Sequence, residues 1–395
     1  MQYALLTIGS RRLLITRPDT SKFAAVLNMA ASFHLARHLG VPLYIAPTNP
    51  AQLEAVWTLE CRAVHRVRTS PLRTAMLLGC CRFLAATDLG IATVAGRLAE
   101  FGTNGRGTPA ALAYFDLDLR KSYATAPVEI RLPDAAERDV RQRARALGLD
   151  GRTRIVTLHV REAGYKASLG YADREKDAAR NADIDTYRAA IDVLVSRGYT
   201  VVRFGDPSMT PFTHPGVIDL ATSPLRTPAL EIWCVLHSRF FITGDSGPFN
   251  LGVLTGVPSL GVNLTELIGL YPLRPSDRNI LKHVVDSTSR RELTLLEMLT
   301  PHHLKFRWAP GRFELRDNTA DEIREAVEEM DDALNGVRPV GSAQRALRQA
   351  VADFLETDYG RKKQKAGLQP GFYLGDGWIG EAFAQAHLGI RSPGE

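Results

Sequence analysis

The chain has 395 residues, of which 45% are hydrophobic and 23% charged, and its formal net charge is +6. These proportions are those of a globular protein of two or three domains, and they exclude a chain that is disordered throughout. The positive charge is not gathered into a basic run interleaved with aromatic residues, so no nucleic acid is expected as a partner.

The sequence shows neither a membrane-spanning segment nor an export signal. No apolar run reaches about 18 residues, and residues 1–12 lack the ordered regions of a signal peptide. The four cysteines have no metal-ligand spacing, which favours reduced, buried thiols. These features predict a cytoplasmic protein. The basic segment 361–365 is interpreted as a solvated loop, with peripheral contact to a membrane surface as the minority alternative.

The first part of the chain has the pattern of a βαβ unit. Residues 13–16 form a short β-type run, 23–39 have apolar residues at helical spacing closed by Gly40, and 42–46 form the next strand. A right-handed crossover makes two such strands parallel. Further helices are predicted near 51–60 and over 73–100.

A second, clearer alternation of strands and helices follows a charged helix at 134–147 and a linker at 148–153. It predicts strands at 154–160, 200–204, 217–221, 239–243 and 258–262, with helices at 185–197, 228–237 and 247–256. Such alternation is typical of a doubly wound parallel sheet. Beyond residue 300 the pattern becomes helical, and 319–322 fits a capping box. The predicted domains are therefore 1–148, 149–310 and a helical extension at 311–395.

Open α/β sheets bind ligands where their strands end, so we considered the residues after each strand. Gly244, Asp245, Ser246 and Gly247 separate a buried strand from a helix. Glycines allow an anion to approach the backbone, and the free N–H groups of a helix start attract it. These four residues are candidate ligands of a phosphorylated donor. The alternative is an ordinary glycine-rich turn in which Asp245 or Ser246 caps the helix.

His159 and Arg161 lie two residues apart at the end of the strand at 154–160, so alternation sends them to one face. Arg161 could contact a diphosphate with both arms of its guanidinium group. An edge ion pair of Arg161 with Glu162 or Asp185 is the alternative.

The connection 162–184 that follows is long for a βα loop, which suggests a functional role. Asp185 is explained as a helix N-cap. Arg180 and Asn181 have no such structural explanation and are further donor-binding candidates.

The remaining donor-side candidates are Arg203, Gly205, Asp206 and Glu231. Arg203 either reaches the cleft or forms a core or edge ion pair. The segment 205–207 is a turn by its chemistry. Glu231 could accept a hydrogen bond from a ribose hydroxyl, although a solvated helix carboxylate is the commoner case.

Asp19, just after the first strand, is the candidate general base of the N-terminal part, with a simple turn aspartate as the alternative. The glycine-rich stretch 102–107 is predicted to follow a helix rather than a strand, so it is a poor dinucleotide fingerprint. No aspartate pair stands in the context of a metal-binding D-x-D motif, and the adjacent His302 and His303 diverge. No metal and no cofactor are expected.

Four motifs carry a family resemblance: 159–161 (HVR), 180–187 (RNADIDTY), 205–207 (GDP) and 215–219 (PGVID). They occur in this order in a bacterial family of GT-B glycosyltransferases, which the chain resembles over roughly residues 130–390. More distantly, 159–161 is similar to the H-x-R motif of fucosyltransferases. The turn at 245–247 is similar to the D-[ST]-G-x-x-H turn of heptosyltransferases, but Asn250 stands where that family has histidine.

The resemblance implies a GT-B-like α/β fold, with two Rossmann-like domains facing a cleft and C-terminal helices packed across their junction. It implies a hexosyltransferase-like enzyme that moves a sugar from a nucleoside-diphosphate donor to a hydroxyl acceptor of a glycan or a secondary metabolite. Arg161 would stabilise the departing diphosphate, and Asp19 would be the base of an inverting, metal-independent displacement. A sugar-nucleotide epimerase on the same fold and a non-catalytic nucleotide-sugar-binding subunit remain the alternatives.

Overall fold

The computed structural model describes residues 129–164, 175–337, 340–364 and 374–389 without a break. It also describes shorter pieces of the first 107 residues, which are 2–8, 11–17, 29, 32–34, 36–37, 40–45, 59–68, 72, 76, 97–103 and 106–107. Asp19 lies outside the described residues.

The N-terminal strands form a six-stranded mixed sheet in the order β5-β3-β2-β1-β6-β7. Its strands are β1 (Gln2–Ile8), β2 (Arg11–Arg17), β3 (Leu43–Ile45), β5 (Arg66–Arg68), β6 (Arg97–Thr103) and β7 (Arg106–Gly107), and the short strand β4 (Glu60–Cys61) lies outside this sheet. Strands β2, β3 and β5 are parallel, which confirms the βαβ opening. Strand β1 instead pairs antiparallel with both β2 and β6. Only Gly9 and Ser10 separate β1 from β2, a connection short enough for a hairpin but not for a crossover.

Strand β6 corrects two predictions from sequence. The helix predicted over 73–100 is wrong at its end, because Arg97 already begins a strand. The glycine-rich stretch 102–107 therefore does not follow a helix, since it spans the end of β6 and the start of β7. It still does not join a strand to a helix, which a dinucleotide fingerprint requires.

The second sheet has seven strands in the order β11-β10-β9-β12-β13-β14-β17, and every pairing in it is parallel. These strands are β9 (Ile155–His159), β10 (Thr200–Arg203), β11 (Val217–Asp219), β12 (Ser238–Thr243), β13 (Ser259–Leu264), β14 (Arg278–Leu281) and β17 (Trp378–Ile379). Short antiparallel pairs join β4 to β8 (Ile130–Arg131), and β15 (His283–Asp286) to β16 (Phe313–Arg316). The predicted α/β class is thus confirmed.

Helices cover both faces of the second sheet. The α-helices that the structure describes from residue 129 onward are α1 (Asp134–Ala146), α2 (Glu175–Ala178), α3 (Arg188–Ser196), α4 (Pro228–Leu236), α5 (Phe249–Thr255), α6 (Leu295–Met298), α7 (Pro301–Phe306), α8 (Ala320–Leu334), α9 (Ser342–Glu356), α10 (Asp358–Gln364) and α11 (Glu381–His387). On one face, α1 meets α4, and Trp233 Nε1 donates to Glu137 Oε1 (3.1 Å). On the other, Leu194 of α3 and Val327 of α8 share a buried cluster with the strands. Among the described residues, no helix has the length and apolar character to span a membrane.

The region after residue 300 is not purely helical, contrary to the sequence prediction. Strand β16 pairs with β15, and the two-residue strand β17 adds to the edge of the main sheet beside β14. The predicted capping box is confirmed, because Thr319 and Glu322 exchange hydrogen bonds at the start of α8. The basic segment 361–365 also departs from the predicted loop, since Arg361 and Lys362 are exposed residues of α10.

Candidate functional site

The strand order places a topological switch point between β9 and β12. From β9 the chain moves outward through β10 to β11, and it then returns to β12 on the opposite side of β9. Open parallel sheets bind ligands in the crevice outside the carboxyl ends of the two strands at such a point. His159, the last residue of β9, lies directly beside Thr243, the last residue of β12. The motifs predicted from sequence at 159–161 and 244–247 therefore meet at this crevice.

His159 is buried, with 5% of its surface exposed, and its ring lies 5.5 Å from that of Phe204. Burial lowers its pKa to about 3, and the nearby Arg203 and Arg161 act in the same direction. The imidazole is therefore neutral at physiological pH. Its Nδ1 is buried and has no hydrogen-bond partner within the described residues. Buried polar atoms are nearly always paired, so this nitrogen at the end of β9 has the capacity to bond a ligand or a water molecule.

Arg161 holds the long connection after β9 against the end of that strand. Its Nη1 donates to the side-chain oxygen of Asn181 and to the main-chain oxygen of Asp177. A main-chain hydrogen bond joins the same two segments, since Ala182 N donates to Arg161 O (3.1 Å). The alternative partners considered from sequence are engaged elsewhere: Glu162 pairs with Arg203, and Asp185 pairs with Arg188.

Arg180 links this connection to the turn after β12. Its guanidinium group pairs with Asp177, and its Nη1 lies 3.8 Å from Asp245 Oδ1. Asp245 accepts a hydrogen bond from the hydroxyl of Thr265, the residue after β13. Burial raises the pKa of Asp245 above its ordinary value, although Thr265 and Arg180 oppose the shift. Three of the predicted donor-side residues, Arg180, Asn181 and Asp245, therefore belong to one polar network.

The turn itself presents backbone donors that have no acceptor among the described residues. The N–H groups of Asp245, Ser246 and Gly247 have no acceptor within the described part of the chain. Neither Asp245 nor Ser246 caps helix α5, which begins after Pro248 without a side-chain cap. The capping alternative therefore does not explain these residues. Three successive main-chain donors at a strand end form a local concentration of positive dipole that suits an anion.

Arg203 is placed differently from its prediction as a donor-binding residue. Its side chain is completely buried, and it pairs with Glu162 Oε1 (2.7 Å) and Asp219 Oδ1 (3.0 Å). The two carboxylates also accept from the main chain, at Thr210 N and Phe212 N. This is the core ion pair that the sequence left as the alternative. The guanidinium group is occupied in holding the ends of β9, β10 and β11 together, so it is not available to a donor.

Glu231 is buried rather than solvated, with 1% of its surface exposed. Arg226 Nε donates to Glu231 Oε1 (2.8 Å) and to Gly205 O (2.7 Å). Burial raises the pKa of Glu231 to about 7, against the opposing effect of Arg226. The pair therefore ties helix α4 to the turn after β10. Within that turn Asp206 Oδ1 accepts from Ser208 N (3.0 Å), as its turn chemistry predicts.

The structure adds a buried lysine that the sequence analysis missed. Lys282 follows β14 directly and is 3% exposed. Its ammonium group donates to Asn181 O (2.7 Å) and to the carboxylate of Asp317. The search for polar residues after each strand would have found it, but β14 was not predicted. Lys282 adds a third cation, with Arg161 and Arg180, to the groups around the connection 175–181.

These features define an α/β protein with a Rossmann-like parallel sheet, preceded in the chain by a mixed sheet that contains a parallel βαβ core. The basic side chains, a neutral histidine and a donor-rich turn converge at the switch point of the parallel sheet. This organisation fits the predicted GT-B-like fold class.

No family model and no curated protein matches the chain. Among solved structures it is similar to a glycosyl transferase family 9 protein from Veillonella parvula DSM 2008, at 14% identity and a TM-score of 0.36. That match covers 62% of this chain and 79% of the other. It is also similar to the E. coli ADP-heptose lps heptosyltransferase II, at 10% identity and a TM-score of 0.34, over 62% of this chain and 83% of the other.

Proposed function

We propose that the chain is a cytoplasmic glycosyltransferase of the GT-B type, which binds the diphosphate of a nucleoside-diphosphate-sugar at the switch point. The acceptor is a hydroxyl group of a glycan or a secondary metabolite. The reaction is a hexosyltransferase-like, inverting displacement that requires no metal and no cofactor beyond the donor.

The observation that carries the proposal is a set of groups at the ends of β9 and β12 that are suited to binding an anion. The N–H groups of Asp245, Ser246 and Gly247, which have no acceptor among the described residues, lie at one side of the crevice. The Nδ1 atom of His159, which has no partner among the described residues, lies at the end of the adjacent strand β9, and Arg161 follows that strand. A diphosphate has the negative charge and the many acceptor oxygens that such a set requires.

The same groups account for catalysis as well as binding. When the glycosidic bond to the donor breaks, negative charge grows on the departing diphosphate. Arg161 and the turn would stabilise that charge more strongly in the transition state than in the ground state, which raises the rate. Binding would require Arg161 to exchange its contacts with Asn181 and Asp177 for contacts with phosphate oxygens. His159 is neutral before the donor binds, because burial lowers its pKa to about 3.

The acceptor hydroxyl needs a base, and Asp19 is the residue we assign to it. Attack on the face opposite the leaving diphosphate inverts the anomeric configuration. This assignment rests on the position of Asp19 after strand β2 in the sequence.

Two other functions would use the same diphosphate site. A sugar-nucleotide epimerase would convert the donor without any acceptor, and a non-catalytic subunit would bind the donor without consuming it. Product analysis separates the three, because only the transferase releases nucleoside diphosphate in proportion to a glycosylated acceptor.

Thermal unfolding in the presence of a panel of nucleotides and nucleotide sugars tests the donor site first. A ligand that binds only the folded state raises the melting temperature by mass action. We expect one nucleoside diphosphate, with its sugars, to raise it, and Arg161→Ala to abolish the increase. Arg239→Ala is the matched control, because Arg239 is an exposed arginine at the opposite end of β12 and contacts Leu334 O.

The ligand found in this way then serves as the donor in a transfer assay with Asp19→Asn. Loss of turnover with unchanged donor binding supports Asp19 as the base. Absence of stabilisation by every nucleotide, or equal stabilisation of Arg161→Ala, would overturn the diphosphate site. Turnover that a chelator abolishes, and that magnesium or manganese but not zinc restores, would overturn the metal-independent mechanism.

A further inference from the structure

Two histidines and two glutamates from distant parts of the chain meet beside the end of the main sheet. His283 begins β15, Glu322 lies in the first turn of α8, and His387 ends α11. One ligand atom from each of these three lies within 4.8 Å of the others. Glu322 Oε2 is 3.0 Å from His283 Nε2, and Glu322 Oε1 is 2.9 Å from His387 Nε2.

The Nδ1 atoms of both imidazole rings lie close to one further carboxylate, that of Glu292. Glu292 Oε1 lies 2.8 Å from His283 Nδ1 and 3.2 Å from His387 Nδ1. Histidines that bind a metal through one nitrogen characteristically donate the other N–H to a carboxylate, which fixes the ring and its tautomer. Here one glutamate performs that role for both rings.

The inner carboxylate is also fixed before any ion binds. Glu322 Oε2 accepts from Thr319 N (2.8 Å) and from the Thr319 hydroxyl (3.1 Å), because Glu322 is the third residue of the capping box of α8. Phe383 covers the rings on one side, with its centroid 4.5 Å from that of His387 and 6.1 Å from that of His283. The group is therefore a preorganised set of ligands with an apolar wall.

We propose that His283, Glu322 and His387 bind a divalent zinc ion, with Glu292 as the outer carboxylate. Two imidazoles and one carboxylate are ligands that zinc prefers, whereas magnesium and calcium favour oxygen alone. Ligand atoms on one tetrahedral zinc ion lie about 3.4 Å apart, so side-chain shifts of less than about 1 Å would admit the ion. The two glutamates supply two negative charges, which balance the charge of the ion.

The site would join three segments that are far apart in sequence. It connects α11, close to the end of the described chain, to the start of α8 and to β15. His283 also directly follows Lys282, the buried lysine of the donor-side network. Zinc at this position would stabilise the corner between β14 and β15 from which Lys282 reaches Asn181.

The competing occupant of the cluster is a proton on His283. In the absence of metal, Glu322 and Glu292 raise the pKa of His283 to about 9, so zinc must displace a ring proton. A mildly alkaline buffer is therefore appropriate for the binding experiment.

The test uses the full chain without a polyhistidine tag, stripped with a chelator, dialysed, and titrated with zinc chloride by calorimetry. We expect one equivalent to bind and to raise the melting temperature. His283→Gln and His387→Gln should each lower the affinity at least tenfold. Glu292→Gln should lower it about 10- to 100-fold while leaving the three ligands in place.

His214→Gln is the matched control, because His214 also pairs with a carboxylate, Asp192 (3.0 Å), outside the cluster. It should bind zinc like the wild type. Far-ultraviolet circular dichroism confirms that each variant is folded. If a variant does not fold, cobalt is bound to the wild type in place of zinc. Its visible absorption spectrum then reports whether the ligands are nitrogen and oxygen atoms. Failure of the wild type to bind zinc, or wild-type zinc affinity in both histidine variants, would overturn the site.

Discussion

The buried carboxyl group of Glu231 makes the stability of the protein depend on pH in a defined direction. Its pKa of about 7 in the folded state lies above the ordinary value of 4.5, because burial disfavours the charged form. Between these two values the folded state binds the proton more tightly than the unfolded state. Raising the pH through this window therefore lowers the free energy of unfolding, by about 3 kcal/mol in total.

We expect Glu231→Gln to remove this contribution, because an amide does not titrate. The free energy of unfolding of the variant, relative to the wild type, should rise as the pH increases from 4.5 to about 7 and then stay level. Urea unfolding at a series of pH values measures it. Glu356→Gln, which changes a side chain that is 79% exposed, should follow the wild-type curve. A Glu231→Gln variant with the wild-type slope would show that Glu231 is ionised throughout this range.

Residue-scale prediction was limited where several strands had to meet. His159 and Arg161 are two residues apart in sequence, so placing them near the same end of β9 required no knowledge of strand order, although only His159 belongs to the strand. The partners of Arg203 come from Glu162 after β9 and Asp219 at the end of β11, and their convergence depends on strand order. Sequence could therefore name both interpretations of Arg203 but could not choose between them.

The turn after helix α3 and the turn before strand β11 each contain a glycine. Two physical reasons favour glycine there: a positive φ angle, and a lack of space for a Cβ atom. Gly198 and Gly216 have φ angles of 80° and 79°, which residues with a side chain rarely adopt. A Cβ at Gly198 would meet open space, whereas one at Gly216 would lie 2.6 Å from Val195 Cγ2. Gly151 has open space and no such φ angle. Alanine at the three positions thus separates backbone strain from steric overlap.

We expect the loss of stability to increase from Gly151→Ala through Gly198→Ala to Gly216→Ala. The first should change the free energy of unfolding by less than about 0.5 kcal/mol. The second should lower it by about 1–2 kcal/mol through the backbone term alone. The third adds an overlap with Val195 of about 1–3 kcal/mol. Urea unfolding at one pH measures all three, and a Gly216→Ala variant as stable as Gly198→Ala would show that Val195 moves freely.

Elements with strong local signals were predicted to within a few residues, and some short strands were missed. Helix α1 and strand β12 have clear periodicity and bounding turns, so their predicted and observed limits nearly coincide. Strands β14 and β17 have four and two residues, and β14 begins with the polar pair Arg278-Asn279. A strand this short exists because its neighbours provide hydrogen-bond partners, which local sequence does not reveal.

At the scale of the whole molecule, the order of strands is the information that sequence lacked. Alternating strands and helices predicted a parallel sheet, but not that β9 would lie between β10 and β12. That order creates the switch point, and it depends on pairings between segments tens of residues apart. The residues of the candidate site were thus largely predictable, whereas the crevice that unites them was not.

If the switch point is the donor site, a bound ligand should protect that edge of the sheet before the rest of the protein. We expect the nucleoside diphosphate that stabilises the protein to slow amide hydrogen exchange at Asp245, Ser246 and Gly247, whose N–H groups have no acceptor in the described structure. Amides at the opposite end of β12, such as that of Arg239, should change less, because they exchange through openings that the ligand does not block. Mass spectrometry of peptides measures both sets in the wild type and in Arg161→Ala. Protection concentrated in β1 to β7, or surviving intact in Arg161→Ala, would place the ligand outside this crevice.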